Sequence, residues 1–278
     1  MSERFSMPPE SIGTRHSIRP NRQAGEKSDE KYFGLSERGV ELAKERAADI
    51  LSSLEDSEPG TVMAFIGATE ADRTKATTRV YGDEISRLVQ EQERQDIRVI
   101  TEDVWKSDAG VSENVQSIAR EVGDNPNTKY LLTLPLQMKE FRLQERWQNS
   151  DGSWANEYAK KLFEDNNFDN QKVIETWLSS QGELGDLRGP NPAEVAEEEL
   201  SGLARAKDFI TKLIPNRPIR VGFVGHGPNI DALAIYLANE GKVDLDGFRK
   251  IQSRPFGETD MIDIKNDSIV LPTGEYII

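Results

Sequence analysis

Two short apolar runs, each followed at once by a helical pattern, define the fold class of this 278-residue chain. Residues 62–66 and 219–224 are bounded by turn residues and are typical of buried strands. The helices that follow them are predicted to begin near Asp72 and Pro228. Because buried strands that alternate with helices form parallel sheets covered on both faces, the sequence predicts a three-layer α/β/α fold with a mostly parallel central sheet.

The rest of the chain is predicted to complete one domain around that sheet. The predicted elements are a helix from Ser36, helices over 72–93 and 194–213, a strand over 97–100, and two or three short edge strands within 261–278. Residues 1–13 are predicted to form a flexible N-terminal arm, and residues 14–278 a single domain. The polar segment 138–190 is predicted to be a helical insertion, or lid, over the active site.

The composition excludes several classes of function. A net charge of -14 repels phosphate backbones, which argues against a nucleic-acid partner. The absence of cysteine excludes disulfides and thiolate metal sites. No apolar run approaches the roughly 18 residues that span a bilayer, so we expect no membrane association and a cytoplasmic location. The sequence does not indicate the oligomeric state.

The chain has two histidines, and both lie where this fold binds ligands. Ligands of open α/β sheets sit beyond the carboxyl ends of the strands, where helices begin. Three loops are predicted at such positions, namely residues 15–21, 67–73 and 225–229. His16 lies in the first loop and His226 in the third. The pattern therefore predicts that the two imidazoles share a site.

The residues around the histidines suit a phosphoryl group. Its negative charge is spread over three oxygens, which planar guanidinium groups bind well. Arg15 and Arg19 flank His16, and Arg73 begins the second predicted helix. The helix predicted from Pro228 adds backbone N–H groups and a positive dipole end. A neutral imidazole held in one tautomer can then attack phosphorus and form a covalent intermediate.

Four motifs, in order and at the right spacing, resemble the histidine phosphatase (phosphoglycerate mutase-like) superfamily. They are the Arg-His pair in 15–17, the Leu-Ser-x-x-Gly-x-x-x-Ala pattern in 35–43, the Arg-x-x-Ala-Thr stretch within 69–78, and the strand ending in His-Gly at 221–227. The resemblance covers about residues 14–240. It implies a phosphoglycerate mutase-like fold that needs no metal and no cofactor.

The resemblance also implies roles for individual residues. His16 is the implied nucleophile. The implied ligands of the phosphoryl oxygens are Arg15, Arg19, Arg73, His226 and, by its place at the helix start, Gly227. The implied proton donor is Glu102, with Asp103 as the alternative. A general acid there would protonate the departing alkoxide and later activate water.

The sequence departs from the family pattern at a few positions. Ser17 replaces the usual glycine, the segment before Arg15 is not strongly apolar, and Glu70 and Thr78 replace a proline and an alanine of the third motif. The chemistry requires none of these residues.

The predicted function is hydrolysis of a phosphomonoester, either small-molecule or protein, through phosphohistidine on His16. Residues 18–22 lack the run that continues the first motif in phosphoglycerate mutases, although mutase-type phosphoryl transfer stays an alternative. A catalytically inactive protein that binds a phosphorylated ligand or a partner is the other. Arg142 and Arg146 are candidates for binding a second anionic group, or form a surface pair on one helix face. The tryptophans of the insertion either contact substrate or pack on the core.

Overall fold

The strands of the computed structural model form one large, mostly parallel sheet. The structure describes residues 8–21, 24–67, 71–101, 103, 111–134, 136, 138–141, 146–149, 153–251 and 253–278. The sheet strands are β1 (Ser11–Arg15), β2 (Val62–Ile66), β3 (Ile97–Ile100), β4 (Lys129–Leu134), β7 (Ile219–Gly225), β8 (Met261–Ile264), β9 (Ser268–Leu271) and β10 (Gly274–Ile277). Their order is β10-β9-β8-β1-β7-β2-β4-β3, and the five strands β1, β7, β2, β4 and β3 run parallel.

The rest of the described chain includes helices and a small hairpin. The helices are α1 (Glu37–Glu55), α2 (Asp72–Glu91), α3 (Val111–Asp124), α4 (Glu157–Asp165), α5 (Asn170–Ser180), α6 (Pro192–Leu213), α7 (Gly227–Ala238) and α8 (Leu245–Ile251). The hairpin pairs β5 (Glu183–Leu184) with β6 (Leu187–Arg188). Among the described residues, no helix combines the length and the apolar character that crossing a bilayer requires.

Two hydrophobic clusters pack on opposite faces of the sheet. On one face, the apolar sides of α1 and α2 cover Met63, Phe65 and Leu131. On the other face, α6, α7 and the helices of segment 138–190 cover Ala64, Leu132 and their neighbours. Side chains of a strand alternate between faces, so β2 and β4 supply both clusters. The structure confirms the predicted three-layer α/β/α fold with a mostly parallel sheet.

Strand β1 corrects the predicted N-terminal arm. Residues 11–13 were expected to lie in the arm, but they belong to this fully buried strand, which lies between β7 and β8. Its low hydrophobicity has a packing reason. Gly13 pairs with Phe223 of β7, and a Cβ at position 13 would lie only 2.3 Å from the Phe223 ring. The strand therefore has a glycine where its neighbour places an aromatic ring.

Most predicted boundaries agree with the structure to within a few residues. Ser36 caps α1 by accepting a hydrogen bond from Gly39 N at 3.1 Å, and β2 and β3 have the predicted bounds. The strand β4 is the main omission. Its apolar-rich sequence follows a turn around Pro126, and this pattern is typical of a buried strand.

Candidate active site

The two histidines lie side by side because β1 and β7 are parallel neighbours in register. Arg15, the last residue of β1, pairs with Gly225, the last residue of β7. The next residue on each strand is therefore a histidine. His16 N donates to Gly225 O at 3.0 Å, and the ring centroids of His16 and His226 are 5.2 Å apart. The structure thus brings together two residues that are 210 positions apart in the chain.

The imidazole of His16 is fixed in one tautomer. Its Nδ1 lies 2.7 Å from the carbonyl oxygen of Ser17. A carbonyl only accepts, so Nδ1 carries the proton and Nε2 keeps a lone pair. Arg73 Nε donates to that Nε2 at 3.1 Å. The nitrogen available for attack on phosphorus therefore points toward a guanidinium group.

Ser17 fastens the loop of His16 to both helices on that face of the sheet. Its Oγ donates to Gly39 O in α1 at 2.6 Å, and its backbone N–H donates to Thr77 Oγ1 in α2 at 3.0 Å. Thr77 Oγ1 in turn donates to Arg73 O at 2.8 Å. A side chain at position 39 would lie 2.3 Å from Ile18 O, so the close approach requires glycine there. The serine that departs from the family pattern is thus a hydrogen-bonding residue of this loop.

Arg73 contacts both imidazoles from the start of α2. Besides its contact with His16, its Nη2 lies 3.5 Å from His226 Nδ1. A guanidinium only donates, so Nδ1 of His226 is the acceptor in this contact, which leaves the proton on Nε2. His226 directly precedes α7, where the first backbone N–H groups lack intrahelical partners. The Nε2 atoms of the two histidines therefore differ. That of His16 carries a lone pair, and that of His226 carries a proton that it can donate.

The other two arginines lie on the same side of the histidines. Arg15 donates to Phe256 O and forms an ion pair with Glu258 at 3.3 Å, while its buried Nε has no hydrogen-bond partner among the described residues. A Cβ at Gly227 would lie 3.5 Å from the Arg15 guanidinium. Arg19 is exposed and lines one cavity together with Arg15, His16 and His226. We call Arg15, His16, Arg19, Arg73, His226 and Gly227 together the cationic end of this cavity.

Burial and nearby positive charge keep both histidines neutral. Burial lowers the pKa of His16 well below its usual 6.5, and the charges of Arg73 and Arg15 lower it further. Burial also lowers the pKa of His226, with Arg73 and the His16 ring as the next causes. A neutral imidazole is the nucleophilic form. The cationic end therefore holds two neutral imidazoles beside three guanidinium groups, an arrangement suited to a phosphoryl group.

Several solved structures are similar to this chain over most of its length. A mycobacterial glucosyl-3-phosphoglycerate phosphatase is 14% identical with a TM-score of 0.45, covering 91% of this chain and 88% of that chain. YhfR of Bacillus stearothermophilus is 13% identical with a TM-score of 0.44, covering 97% and 95%. A phosphoglycerate mutase from Bacillus anthracis is 12% identical with a TM-score of 0.42, covering 99% and 94%.

These are histidine phosphatases and phosphoglycerate mutase-like proteins. No protein-family model matches the chain, and no curated protein is significantly similar to it in sequence. At identities and TM-scores this low, we draw nothing about reaction or substrate from the likeness.

The predicted proton donors do not lie among the described residues of this cavity. Glu102 lies outside the described residues, so its role stays a prediction. Asp103 lies 3.8 Å from Arg79 and lines a separate cavity. The carboxylates that do line the cavity of the histidines, among the described residues, are Asp231 and Glu258. Asp231 Oδ1 accepts from Phe256 N at 3.0 Å.

Sequence reasoning missed both of these carboxylates. Asp231 lies five residues after His226, in the helix that His226 precedes, so the sequence could have indicated that it lies near the histidine. Glu258 lies in an irregular loop after α8 and gave no pattern. That loop is placed by strand pairing, because Arg15 N donates to Asp260 O and Thr259 N donates to Arg15 O, both at 3.1 Å. The loop before β8 therefore adds an acidic residue, Glu258, to the cavity of the histidines.

The cavity extends away from the histidines to side chains of the insertion. It has a volume of about 620 Å³. Trp147 and Trp154 line it, whereas Trp177 is fully buried and packs against Trp147 at 5.0 Å between ring centroids. The sequence left open whether these tryptophans contact substrate or pack on the core, and the structure places Trp147 and Trp154 at the cavity and Trp177 in the core. Arg146 does not line the cavity and instead pairs with Glu198.

Proposed function

We propose that this chain is a phosphomonoesterase that forms a covalent phosphohistidine on His16. The observation that carries the proposal is the state of the His16 ring, which is neutral and donates through Nδ1 to Ser17 O. Its Nε2 lone pair therefore points to the place where three arginines can bind a tetrahedral anion.

The proposed reaction takes two steps. In the first, His16 Nε2 attacks phosphorus, the P–O bond to the alcohol breaks, and a general acid gives the departing oxygen its proton. In the second, the same group, now deprotonated, takes a proton from water and the water oxygen attacks phosphorus. The P–N bond breaks with its electrons returning to Nε2, and inorganic phosphate leaves as His16 returns to its neutral form. Arg15, Arg73 and His226 Nε2 would donate to the equatorial oxygens in both transition states. Glu102 remains the predicted acid, and Asp231 and Glu258 are described carboxylates within the same cavity.

Hydrolysis of an aryl phosphate by the wild type and by His16→Ala tests the proposal. Without its nucleophile, the variant should lose at least about 10⁴-fold in kcat, as other enzymes do when the nucleophile is removed. The control is Arg188→Ala, which removes an exposed charge in the hairpin β5–β6 and should leave kcat unchanged. Rapid quench at alkaline pH followed by mass spectrometry should detect phosphate on His16 of the wild type.

The possible outcomes separate the proposal from its alternatives. Equal hydrolysis by the wild type and His16→Ala would refute a phosphohistidine mechanism. Tight vanadate binding without turnover of any ester would indicate a phosphate-binding protein. Return of the phosphoryl group to a second alcohol in preference to water would indicate a mutase.

A further inference from the structure

The cavity of the histidines is much larger than a phosphate group needs. Its volume of about 620 Å³ falls within the range of pockets that enclose whole small molecules. The cationic end occupies one part of it. The rest of the cavity is continuous with that end, so it is available to the alcohol portion of a phosphate ester.

A second part of the cavity lining is apolar. It consists of six side chains from one stretch of the insertion, which we call the apolar wall. They are Trp147, Trp154, Phe163, Phe168, Val173 and Ile174. Among the described residues that line the cavity, the polar neighbours of this wall are the neutral Gln148 and Asn170, and the charged side chains belong to the cationic end or are Asp231 and Glu258.

Two phenylalanine rings of the wall pack against the ring of Trp154. Trp154 and Phe163 have centroids 4.9 Å apart and an interplanar angle of 33°. Trp154 and Phe168 have centroids 6.3 Å apart and an angle of 30°. Phe168 is 61% exposed and has φ 58°, a left-handed conformation that costs energy for a bulky residue. The turn that ends α4 fixes this backbone, because Phe168 N donates to Phe163 O at 2.9 Å. The exposed ring is therefore held at the cavity, where an apolar ligand can contact it.

The wall is held in register with the cationic end. Trp147 Nε1 donates to Asn229 Oδ1 at 3.2 Å, and Asn229 lies in α7 three residues after His226. Asn229 Nδ2 donates to Glu199 of α6 at 2.6 Å. A chain of buried hydrogen bonds therefore fixes Trp147 relative to α7, the helix that His226 precedes.

We propose that the site selects phosphomonoesters whose alcohol carries a flat apolar group, preferably an aromatic ring. This specificity rests on the proposed phosphatase function. A phosphosugar would place hydroxyl groups against the wall, where they would lose their hydrogen bonds to water. A phosphoglycerate would bring a carboxylate, and Arg146, the described candidate for a second anion, is engaged with Glu198 away from the cavity.

Two esters with similar leaving groups test the wall separately from the chemistry. Naphthylethyl phosphate and ethyl phosphate both release a primary alcohol, so their intrinsic reactivities are close. The wild type should hydrolyse the naphthyl ester with a kcat/KM about 100-fold higher, because burial of an aromatic ring is strongly favourable. It should prefer the naphthyl ester over glucose phosphate as well. Equal kcat/KM values for the three esters would overturn the proposal.

Variants of the wall locate the preference. The ratio of kcat/KM for naphthylethyl phosphate to that for ethyl phosphate should fall about tenfold in Trp154→Ala and in Phe168→Ala. Phe209→Ala is the matched control, because Phe209 is a half-exposed ring on α6 that does not line the cavity. Its ratio should equal that of the wild type. An unchanged ratio in both wall variants would overturn the proposal, with folding of each variant checked by urea unfolding.

Binding tests the wall even if no ester is hydrolysed. Naphthylethyl phosphonate and ethyl phosphonate cannot be cleaved, and tryptophan fluorescence reports their binding to the wild type. If no ester is hydrolysed, the proposed phosphatase function fails. A higher affinity for the naphthyl compound that is lost in Phe168→Ala would still support the apolar site. Equal affinities overturn the specificity whatever the activity.

Discussion

The cationic end and the apolar wall are built in different ways. The cationic end takes its residues from three distant stretches of chain, around 15–19, 73 and 226–227. Sheet register brings them together. The wall takes all its residues from 147–174 and is shaped by packing among neighbouring side chains.

This difference assigns separate consequences to changes in the two regions. The chemistry depends on strand order and register, which a single substitution in the insertion does not alter. The wall depends on local packing, so its shape can change while the histidines stay in place. We therefore expect changes at the cationic end to reduce turnover of every ester, and changes in the wall to alter the preference among esters.

After His16→Ala, the largest effect is expected from Arg73→Ala, which removes the contacts with both histidines. Loss of a preorganised donor to the phosphoryl oxygens should reduce kcat/KM about 10³-fold, or about 4 kcal/mol of transition-state stabilisation. The loss should be similar for naphthylethyl and ethyl phosphate, as the comparison requires. Steady-state kinetics with both esters measures it.

The control for this variant is Arg98→Ala on β3. Arg98 is half exposed, pairs with Glu121 and lies in a different surface cavity. A loss in Arg98→Ala as large as that in Arg73→Ala would show that general charge, rather than position, matters. A loss confined to one ester would contradict the separation of the two regions.

The pH dependence of stability should reveal the neutral histidines. Their pKa values are near 6.5 in the unfolded chain and well below that in the folded one. The unfolded state therefore binds more protons below pH 6.5, and the free energy of unfolding decreases as pH falls. The slope approaches about 1.4 kcal/mol per pH unit for each histidine, about 2.7 in all, only well below pH 6.5, and the decrease between pH 6.5 and 5.5 should be about 1 kcal/mol per histidine. Urea unfolding between pH 6.5 and about 5.5 measures it, compared with the double variant His16→Gln/His226→Gln, which lacks both contributions. Parallel curves for the two proteins would contradict the assignment.

Glu199, behind the apolar wall, should act with the opposite sign. Burial raises its pKa from 4.5 to about 8, with Arg146 and the hydrogen bond from Asn229 opposing the shift. Because the folded state holds this proton more tightly, the carboxyl group's contribution to stability is full below pH 4.5 and is lost as pH rises toward 8. Glu199→Gln cannot ionise, so its free energy of unfolding relative to the wild type should rise by at most about 1.4 kcal/mol per pH unit over that range. Unfolding at several pH values checks this, and a constant difference would rule out a raised pKa.

The smallest effect is expected from Trp147→Phe. The ring stays in the wall, but the hydrogen bond to Asn229 is lost, at a cost of about 1 kcal/mol in unfolding free energy. A double-mutant cycle with Asn229→Ala isolates this pair. An interaction energy near zero would mean that the bond does not hold the wall in register.

The cationic end was accessible from the sequence because its signals are local and the fold is regular. His16 and His226 each follow a strand and precede a helix or loop, and parallel register then places them together. Arg73 was found because it lies at the start of a readable helix. The roles predicted for these residues are hypotheses that the kinetic experiments address.

The wall and the acidic residues were less accessible for physical reasons. Phe163 and Phe168 meet Trp154 through side-chain packing across a turn with left-handed residues, which no periodic pattern indicates. Glu258 is placed by hydrogen bonds of an irregular loop with Arg15. The strand β1 was obscured because an aromatic ring of β7, rather than its own side chains, fills the space over Gly13.

The hydrogen bond from Arg73 Nε to His16 Nε2 has a consequence for the order of events. The lone pair that would form the bond to phosphorus is occupied by a proton donor from within the protein. A phosphoryl oxygen is a stronger acceptor for a guanidinium than an imidazole nitrogen is, because it carries negative charge. Arrival of the phosphoryl group would therefore draw Arg73 away and release the lone pair. The nucleophile would become reactive only when its target is present, and it would be protected from other electrophiles at all other times.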